Sequence, residues 1–315
     1  MYKQKTIAVV VPAYNEEKLI GQVISTMPSY VDKIIVVDDE STDRTSEIVK
    51  TFDEDSRIIL LRHEVNRGVG ASIATGYRRA VEEEADIVAV MAGDRQMDPE
   101  HLPELLDPIV EGTADYTKGN RLLSPYFRKN MPGLRLFGNG ILTFLTKVSS
   151  GYWHIMDTQN GYTAISRKAL SSLDLDSVYQ GYGYCNDILI KLNVFKLKVR
   201  DIDIPAVYGE EESKIKLPKY MMSLSYLLIK KFFWRLKEKY VLRDFHPLVF
   251  FYIVGFILAP VGFILGLAVL YYRITAHGVS VPTVILTALL LITGIQFILF
   301  AMLFDMEENR MEQRL

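Results

Sequence analysis

Cysteine is almost absent: Cys185 stands alone in 315 residues, so no internal disulfide can form, and a reducing, cytosol-facing compartment fits. Histidine is scarce too, and no His/Cys cluster has metal-ligand spacing. The net charge is −2, so there is no global basic field and no argument for a nucleic-acid partner. No glycine is followed by Lys-Ser/Thr at the spacing of a Walker loop, which excludes P-loop chemistry. Gly68-Val69-Gly70 lacks the third glycine of a dinucleotide fingerprint and follows the third predicted strand, not the first. A Gly-x-Ser-x-Gly elbow is missing, as are internal repeats and low-complexity segments. The opening MYKQKTIAVVVPAYNEE holds too short an apolar run for a signal peptide and reads as a first β-strand.

Charge is also missing from two long stretches, Leu248–Tyr272 and Val281–Phe304. Hydrophobic residues make up 49% of the chain and the mean hydropathy is +0.13, with the excess concentrated after residue 247. Each uncharged stretch exceeds the ~20 residues that cross a bilayer as a helix. Joined by the short linker Arg273–Ser280, they predict a transmembrane helical hairpin rather than two core helices of a soluble domain. Pro260 is placed to kink the first span. Gly255, Gly262 and Gly266 permit close helix packing, within the hairpin or in a homo-oligomer.

Before the hairpin, residues 217–246 are aromatic, aliphatic and basic together. An interfacial helix there would put Lys230, Lys231, Arg235, Lys237 and Lys239 at the lipid headgroups. Trp153 and Trp234 read as interfacial anchors. The basic cluster ahead of the first span predicts an integral membrane protein with its N-terminal domain in the cytoplasm, the tail Asp305–Leu315 returning to that side. The expected organisation is a domain over 1–215, interfacial helices over 216–246, the hairpin over 247–304 and a tail over 305–315.

Residues 1–115 alternate short β-branched runs (Thr6–Pro12, Lys33–Asp38, Arg57–Leu61, Asp86–Met91) with helical patterns (Glu17–Met27, Thr42–Phe52, Gly68–Glu83, Pro99–Glu111). Near-continuous apolar strands separated by helices predict a mostly parallel α/β sheet covered on both faces, with right-handed crossovers. Tyr116–Asn120, Thr163–Ser166 and Lys198–Val207 read as further strands and Asn186–Lys196 as a helix. Residues 124–151 read as a surface loop followed by an amphipathic helix. Each early strand ends in polar residues: Tyr14-Asn15-Glu16, Asp38-Asp39, Asn66-Arg67 and Asp94. In such a sheet, ligands bind at the carboxyl ends of the strands.

Asp94, in VAVMAGDRQMDP, ends the fourth strand, with Gly93 ahead of it to free the backbone. Its carboxylate either caps the next helix or holds a hard divalent cation against a substrate phosphate; Mg²⁺ commonly takes only one or two carboxylates. Asp38 and Asp39 could accept hydrogen bonds from a base or ribose, or one of them could cap a helix with Ser41 and Thr42. The glycines of NRGVGASIATGY supply a turn and helix N-terminus suited to close backbone approach. His154 and His246 are not read as catalysts, and Arg128, Lys129 and Arg135 read as a solvated or lipid-facing basic patch.

PAYNEE, VVDDESTDRT, NRGVGASIATGY and AGDRQMDP, in this order and spacing, resemble family-two glycosyltransferases of GT-A fold, over residues 5–215. KGNRL, DTQNGYTAISRKAL, GYGYCNDILIKL and IPAVYGEEESKIKL extend the match, and the terminal hairpin is similar to that of polyprenyl-phosphate (dolichyl-phosphate) sugar synthases. The resemblance implies a nucleotide diphosphate sugar held by Pro12, Tyr14, Asn15, Glu16, Asp38, Asp39, Arg67, Gly68 and Gly93. It implies a divalent cation, Mg²⁺ or Mn²⁺, on Asp94 with help from Gln96. Arg121 would meet the acceptor phosphate, and Asp187 would orient acceptor or sugar. Two departures matter. Ala92 replaces the first acid of the family's Asp-x-Asp, and an arginine usual near the Gly-x-Ser-Lys segment is absent, with Tyr208 nearby and Lys214 or Lys216 left to supply its charge.

The reaction implied is inverting transfer of a hexose to a polyprenyl phosphate. Such a phosphate is largely dianionic at neutral pH, its second pKa being about 6, so a strong general base is unnecessary. Two alternatives stay open on the sequence alone. One is transfer to another lipid or to a polysaccharide, which would make Asp187 an essential base. The other, motivated by Ala92, is an impaired scaffold that only binds nucleotide sugar.

Overall fold

In the computed structural model, residues 1–121, 133–205, 217–275 and 278–314 are described. The chain divides into two compact units, Met1–Phe232 and Phe233–Leu315.

The first unit is built on a seven-stranded sheet: β1 (Ile7–Ala13), β2 (Lys33–Asp38), β3 (Ile58–Arg62), β4 (Ile87–Val90), β5 (Tyr116–Asn120), β6 (Thr163–Ser166) and β7 (Val199–Asp203). The order is β3-β2-β1-β4-β6-β5-β7. Strands β3, β2, β1 and β4 are parallel, β6 runs antiparallel between β4 and β5, and β7 is parallel to β5. The mostly parallel sheet expected from the apolar runs is therefore present, with one reversed strand.

Period-two alternation divides β1 between two cores. Ala8 and Val10 face a cluster with Ile73, Tyr77, Ile188 and Leu189, while Ile7, Val9 and Val11 face one with Ile20, Ile24, Leu102 and Leu106. The helices of this unit are α1 (Ile20–Ser25), α2 (Thr45–Lys50), α3 (Val69–Glu82), α4 (Leu102–Val110), α5 (Gly133–Ser150), α6 (Arg167–Ser172) and α7 (Tyr184–Val194), and these partners come from α3 and α7 on one face and α1 and α4 on the other. Helix α1 begins later than its apolar pattern suggests: the N–H groups of residues 15–17 donate to side chains of residues 41–45, and the Glu16 carbonyl accepts from Leu19 and Ile20, where the helix starts. The same bonds delay α2, whose predicted first residues, Thr42 and Asp43, are engaged with Asn15 and Glu17.

Register explains where a site forms. The chain runs from β1 outward through β2 and β3, then returns to β4 on the other side of β1. That reversal is the topological switch point at which open α/β sheets bind ligands. Because β6 is antiparallel, pairing Val90 with Thr163, the residues before β6 share an edge with those after β4 and β5.

Helix α8 (Leu217–Lys237) crosses the boundary between the units. Its earlier part is not a free surface helix: Leu224, Leu227 and Leu228 are buried, and Leu224 and Leu227 lie against Gly183. The expected division at residue 215 therefore falls later, because this helix supplies core to the first unit.

In the second unit, α9 (Leu248–Ile274) and α10 (Val281–Arg314) are each long and apolar enough to cross a membrane, with mean hydropathies of 2.7 and 2.5 and few buried residues. They form a candidate membrane hairpin. Helix α9 runs unbroken through Pro260. A Cβ on Gly255 would come within 2.6 Å of Ile298, and one on Gly262 within 2.6 Å of the Leu291 nitrogen. A Cβ on Gly294 would strike the Ala259 backbone, whereas Gly266 makes only ordinary contact. Gly255 and Gly262 thus serve packing inside the hairpin.

The tail expected over 305–315 extends the second apolar helix. Helix α10 continues through it, and Asp305 is buried in a double ion pair with Arg235 (2.9 and 2.7 Å), joined by the Tyr240 hydroxyl at 2.5 Å. Lys239 pairs with Glu312 at 2.7 Å. Arg235 and Lys239 are therefore buried cations, not headgroup contacts, because acids one or two turns past the apolar run meet them. Lys230 and Lys237 remain exposed.

Candidate active site at the strand ends

The turn after β1 is fastened to the turn after β2. Asn15 N–H donates to Ser41 Oγ at 2.9 Å, Glu16 N–H to Thr45 Oγ1 at 2.8 Å, and Asn15 Oδ1 accepts from Thr42 N–H at 2.8 Å. Asn15 takes a left-handed φ of 58°, which asparagine tolerates better than most residues. Tyr14 is left exposed beside it. Pro12 contributes its carbonyl, which accepts from Gly93 N–H at 3.2 Å and ties the ends of β1 and β4 together at the switch point.

Asp38 and Asp39 are both buried and both held by the protein's own donors. Asp38 accepts from Ser41 N–H at 2.8 Å and from the Ser46 hydroxyl, with Arg62 Nε 3.5 Å away. Asp39 accepts from Arg67 N–H (2.9 Å) and Gly68 N–H (2.7 Å), with His63 Nδ1 at 2.7 Å. Neither acid caps α2, whose N-cap makes no side-chain capping bond; Asp38 closes the turn after β2, while Asp39 organises the loop after β3. His63 escaped the sequence reading because only the fold brings it to Asp39.

The glycines of that loop meet protein rather than open space. Gly68 has a φ of 89°, and a Cβ there would lie 2.6 Å from the Gln180 carbonyl oxygen. A Cβ on Gly70 would collide with the Tyr179 carbonyl. The N-terminal N–H groups of α3 are engaged as well: Gly70 and Ala71 donate to Gln180 O at 2.7 and 3.3 Å. The close backbone approach read from these glycines is thus to the 179–180 turn of the same chain.

Asp94 is half-buried beyond β4, and its Oδ1 accepts from Gln96 N–H at 3.0 Å. It does not cap the next helix. Asp98 does, accepting from Glu100 N–H at 2.9 Å. The turn's left-handed residue is Arg95 (φ 58°), not Gly93. Gln96 is exposed. At Ala92, the backbone N–H donates to Met97 Sδ at 3.2 Å. No group of three His, Cys, Asp or Glu suited to a metal occurs among the described residues. The donors are one carboxylate and one amide, both hard oxygens, and they fit a cation that draws its remaining ligands from phosphate and water.

Arg121, just past β5, is gripped by Asp157 from the loop before β6. Nε lies 2.8 Å from Oδ2, Nη2 3.2 Å from Oδ1, and the Arg121 backbone N–H 3.1 Å from Oδ2. The arginine side chain is 33% exposed and the aspartate 4%. Burial pushes the Asp157 pKa up, but the hydrogen bonds and charge of Arg121, with Lys118 behind, outweigh it and hold the carboxyl below its usual range. This planar, two-point pairing orients the guanidinium at the sheet edge. Asp157 was missed as a partner because 36 residues separate it from Arg121. Only the antiparallel β6 brings the two ends together.

Behind this pair sits Asp201, accepting from Met156 N–H at 2.7 Å and Asn120 Nδ2 at 2.9 Å. Its Oδ1 has no hydrogen-bond partner among the described residues. Burial, against the pull of those bonds, pushes its pKa up to about 6. A carboxyl whose folded pKa exceeds its unfolded one binds more protons folded than unfolded between the two. Stability therefore falls as pH rises from about 4 to about 6. Asp201→Asn should raise the melting temperature at pH 7.5, by the equivalent of about 2 kcal/mol, and leave it unchanged near pH 4, as thermal melts at the two pH values would show.

Asp187 is fully buried at the start of α7. Tyr179 N–H donates to its Oδ2 at 2.9 Å, Lys191 lies 3.2 Å from Oδ2, and Lys231 of α8 lies 2.7 Å from Oδ1 as an ion contact rather than an aligned hydrogen bond. Lys214, Lys216, Arg128 and Lys129 lie outside the described residues.

Comparison with known proteins agrees with this geometry. The glycosyl transferase family 2 profile matches residues 8–174. A UDP-N-acetylglucosamine–dolichyl-phosphate N-acetylglucosaminyltransferase of Methanococcus voltae is 34% identical over 220 residues, 65% of this chain and 87% of the relative. An undecaprenyl-phosphate mannosyltransferase of Micrococcus luteus is 27% identical over 210 residues, 65% of this chain and 84% of the relative. Among solved structures, glucosyl-3-phosphoglycerate synthase of Mycobacterium tuberculosis, crystallised with Mn²⁺, UDP and glucosyl-3-phosphoglycerate, superposes with a TM-score of 0.56 at 21% identity. It covers 74% of this chain and 80% of the synthase and shares the GT-A fold. With the family profile spanning the strands that carry Asp38, Asp94, Arg121 and Asp157, this chain belongs to glycosyl transferase family 2.

Proposed function

We propose that the protein transfers a hexose from a nucleotide diphosphate sugar to a polyprenyl phosphate, with inversion, at the cytoplasmic face of a membrane. The observation that carries the reading is the placement of Asp94 and the Arg121–Asp157 pair along one sheet edge, in a chain that also has two helices apolar enough to span a bilayer. The names of the Methanococcus and Micrococcus relatives, both transferases to polyprenyl phosphates, support it. The exposed Lys230, Lys237 and Arg243 ahead of the first span support a cytoplasmic catalytic domain.

The nucleotide would lie against the turns after β1, β2 and β3: Pro12, Tyr14, Asn15 and Glu16, the loop held by Asp38 and Asp39, and Arg67 with Gly68, Gly93 forming the edge toward Asp94. Asp94, with Gln96, would hold Mg²⁺ or Mn²⁺. The bound cation supplies positive charge against the leaving diphosphate. Arg121, fixed by Asp157, would place the acceptor phosphate so that its oxygen meets the anomeric carbon from the side opposite the leaving group. Lys214 and Lys216 are proposed to add charge to that acceptor site. Because the acceptor is already anionic, no side chain need remove a proton, consistent with the burial of Asp187 between two lysines.

The test is a donor and acceptor screen on purified protein in detergent, with labelled UDP- and GDP-sugars, Mg²⁺ or Mn²⁺, and either polyprenyl phosphate or free polyprenol. Glycolipid should form with the phosphate alone and stop on chelation. Turnover onto polyprenol or a saccharide would overturn the acceptor assignment, and donor binding without turnover across the whole panel would make the protein a binding scaffold.

A further inference from the structure

Lys231 lies on the helix that leads toward the hairpin, yet its charge is directed into the first unit. Its ammonium is 2.7 Å from Asp187 Oδ1, and its side chain is 17% exposed. Asp187 in turn anchors Tyr179 through the backbone N–H. The adjoining Gln180 carbonyl accepts from Gly70 and Ala71, the N-terminal donors of α3, and presses on Gly68. Gly68 N–H completes the series by donating to Asp39.

Each link is short, and α8 is held to the first unit at further points around this turn. Tyr179 and Ser223 share a hydroxyl–hydroxyl bond of 3.1 Å, Tyr220 donates to Gln159 at 2.5 Å, and a Cβ on Gly183 would sit 2.8 Å from Leu227. There is no room at Gly68 or Gly70 for the turn to shift toward the loop without moving it. A displacement of Asp187 is therefore passed on to residues 67–71 instead of being absorbed.

We infer that Lys231 is a positioning residue for the donor: through Asp187 and the Tyr179–Gln180 turn, helix α8 sets the placement of the loop at residues 67–71. Lys231 touches no substrate. It balances a buried carboxylate that Lys191, at 3.2 Å, shares from within α7. Without Lys231 the buried carboxylate keeps Lys191 at Oδ2 but loses the cation facing Oδ1, and the least costly relief is rotation of the carboxylate, which moves the turn that Asp187 holds. The inference rests on the reading that residues 67 and 68 face the donor nucleotide.

The experiment uses the full-length protein in detergent. Lys231→Met should raise the donor KM about tenfold, within the range of typical site-to-site couplings, with kcat and the acceptor KM changed less than about threefold. Lys231→Arg should restore most of the loss. Amide exchange of unliganded protein gives a second readout: Gly70 and Ala71 should exchange about tenfold faster in Lys231→Met, while the β1 amides are unchanged. Should Lys231→Met fail to fold, Lys231→Gln supplies the same comparison. Unchanged donor KM and unchanged exchange at Gly70 and Ala71 would overturn the inference, as would a loss confined to kcat or acceptor KM. Calorimetric binding of UDP and GDP to the parent protein separates the two ideas. If neither nucleotide binds, the donor reading itself is wrong; if one binds parent and variant equally, only the role of Lys231 is.

Discussion

Asp94→Asn should lower turnover by roughly 10²- to 10³-fold, the scale seen when a single group stabilising developing charge is removed. The substitution is nearly isosteric. Asparagine Oδ1 can still accept the Gln96 N–H that the carboxylate accepts at 3.0 Å, so the turn after β4 is preserved and the variant tests charge alone. Ala92 makes the effect large, because no second acid of an Asp-x-Asp pair is present to compensate. The metal requirement should shift with it: Mg²⁺ and Mn²⁺ titrations of activity should need well over tenfold more cation for half-maximal rate. Parent-like turnover with parent-like metal dependence would remove Asp94 from the site.

The second large effect is expected at Arg121. Replacing it with lysine keeps the charge but loses the fork that meets Asp157 at 2.8 and 3.2 Å, and a lysine cannot hold a phosphate in a fixed plane as well. We expect kcat/KM for the acceptor to fall by roughly 10²-fold, with donor affinity measured by calorimetry little changed. Asp157→Asn keeps two acceptor-competent contacts out of three but removes the charge, so its loss should be smaller and of the same kind. The pair also has a pH signature. Asp157 is held below its usual range, so its contribution to stability is complete at neutral pH and is lost on acidification below about 4, as the carboxylate protonates. A fall in donor affinity instead of acceptor kcat/KM would place Arg121 on the other side of the reaction.

How much of this could be read from the chain depends on the range of the forces involved. The strands were legible because β1, β2 and β4 are buried on both faces and so read as unbroken apolar runs. Asp94 was legible as a strand-end acid for the same reason. That the cap of the next helix belongs to Asp98, four residues on, was not. The glycines at 68 and 70 were recognised as sites of close approach, but the partner, Gln180, lies more than a hundred residues away and carries no marker in the sequence.

Charged residues were the least legible. Arg235 and Lys239 look like headgroup contacts in a basic, aromatic segment. They become buried ion-pair partners only because α10 extends past its apolar run and presents Asp305 and Glu312. Asp187 reads as an acid that orients acceptor or sugar, and the sequence does not show that the fold buries it against Lys191 and Lys231. By itself, the sequence determined the alternating α/β plan, the apolar hairpin and the family, because hydrophobic periodicity and local motifs are short-range and survive without coordinates. Tertiary structure alone decided which charges are buried and with what partner. Ion pairs at 2.7–2.8 Å are made between residues far apart in the chain, and their energetics depend on a desolvation that no linear pattern encodes.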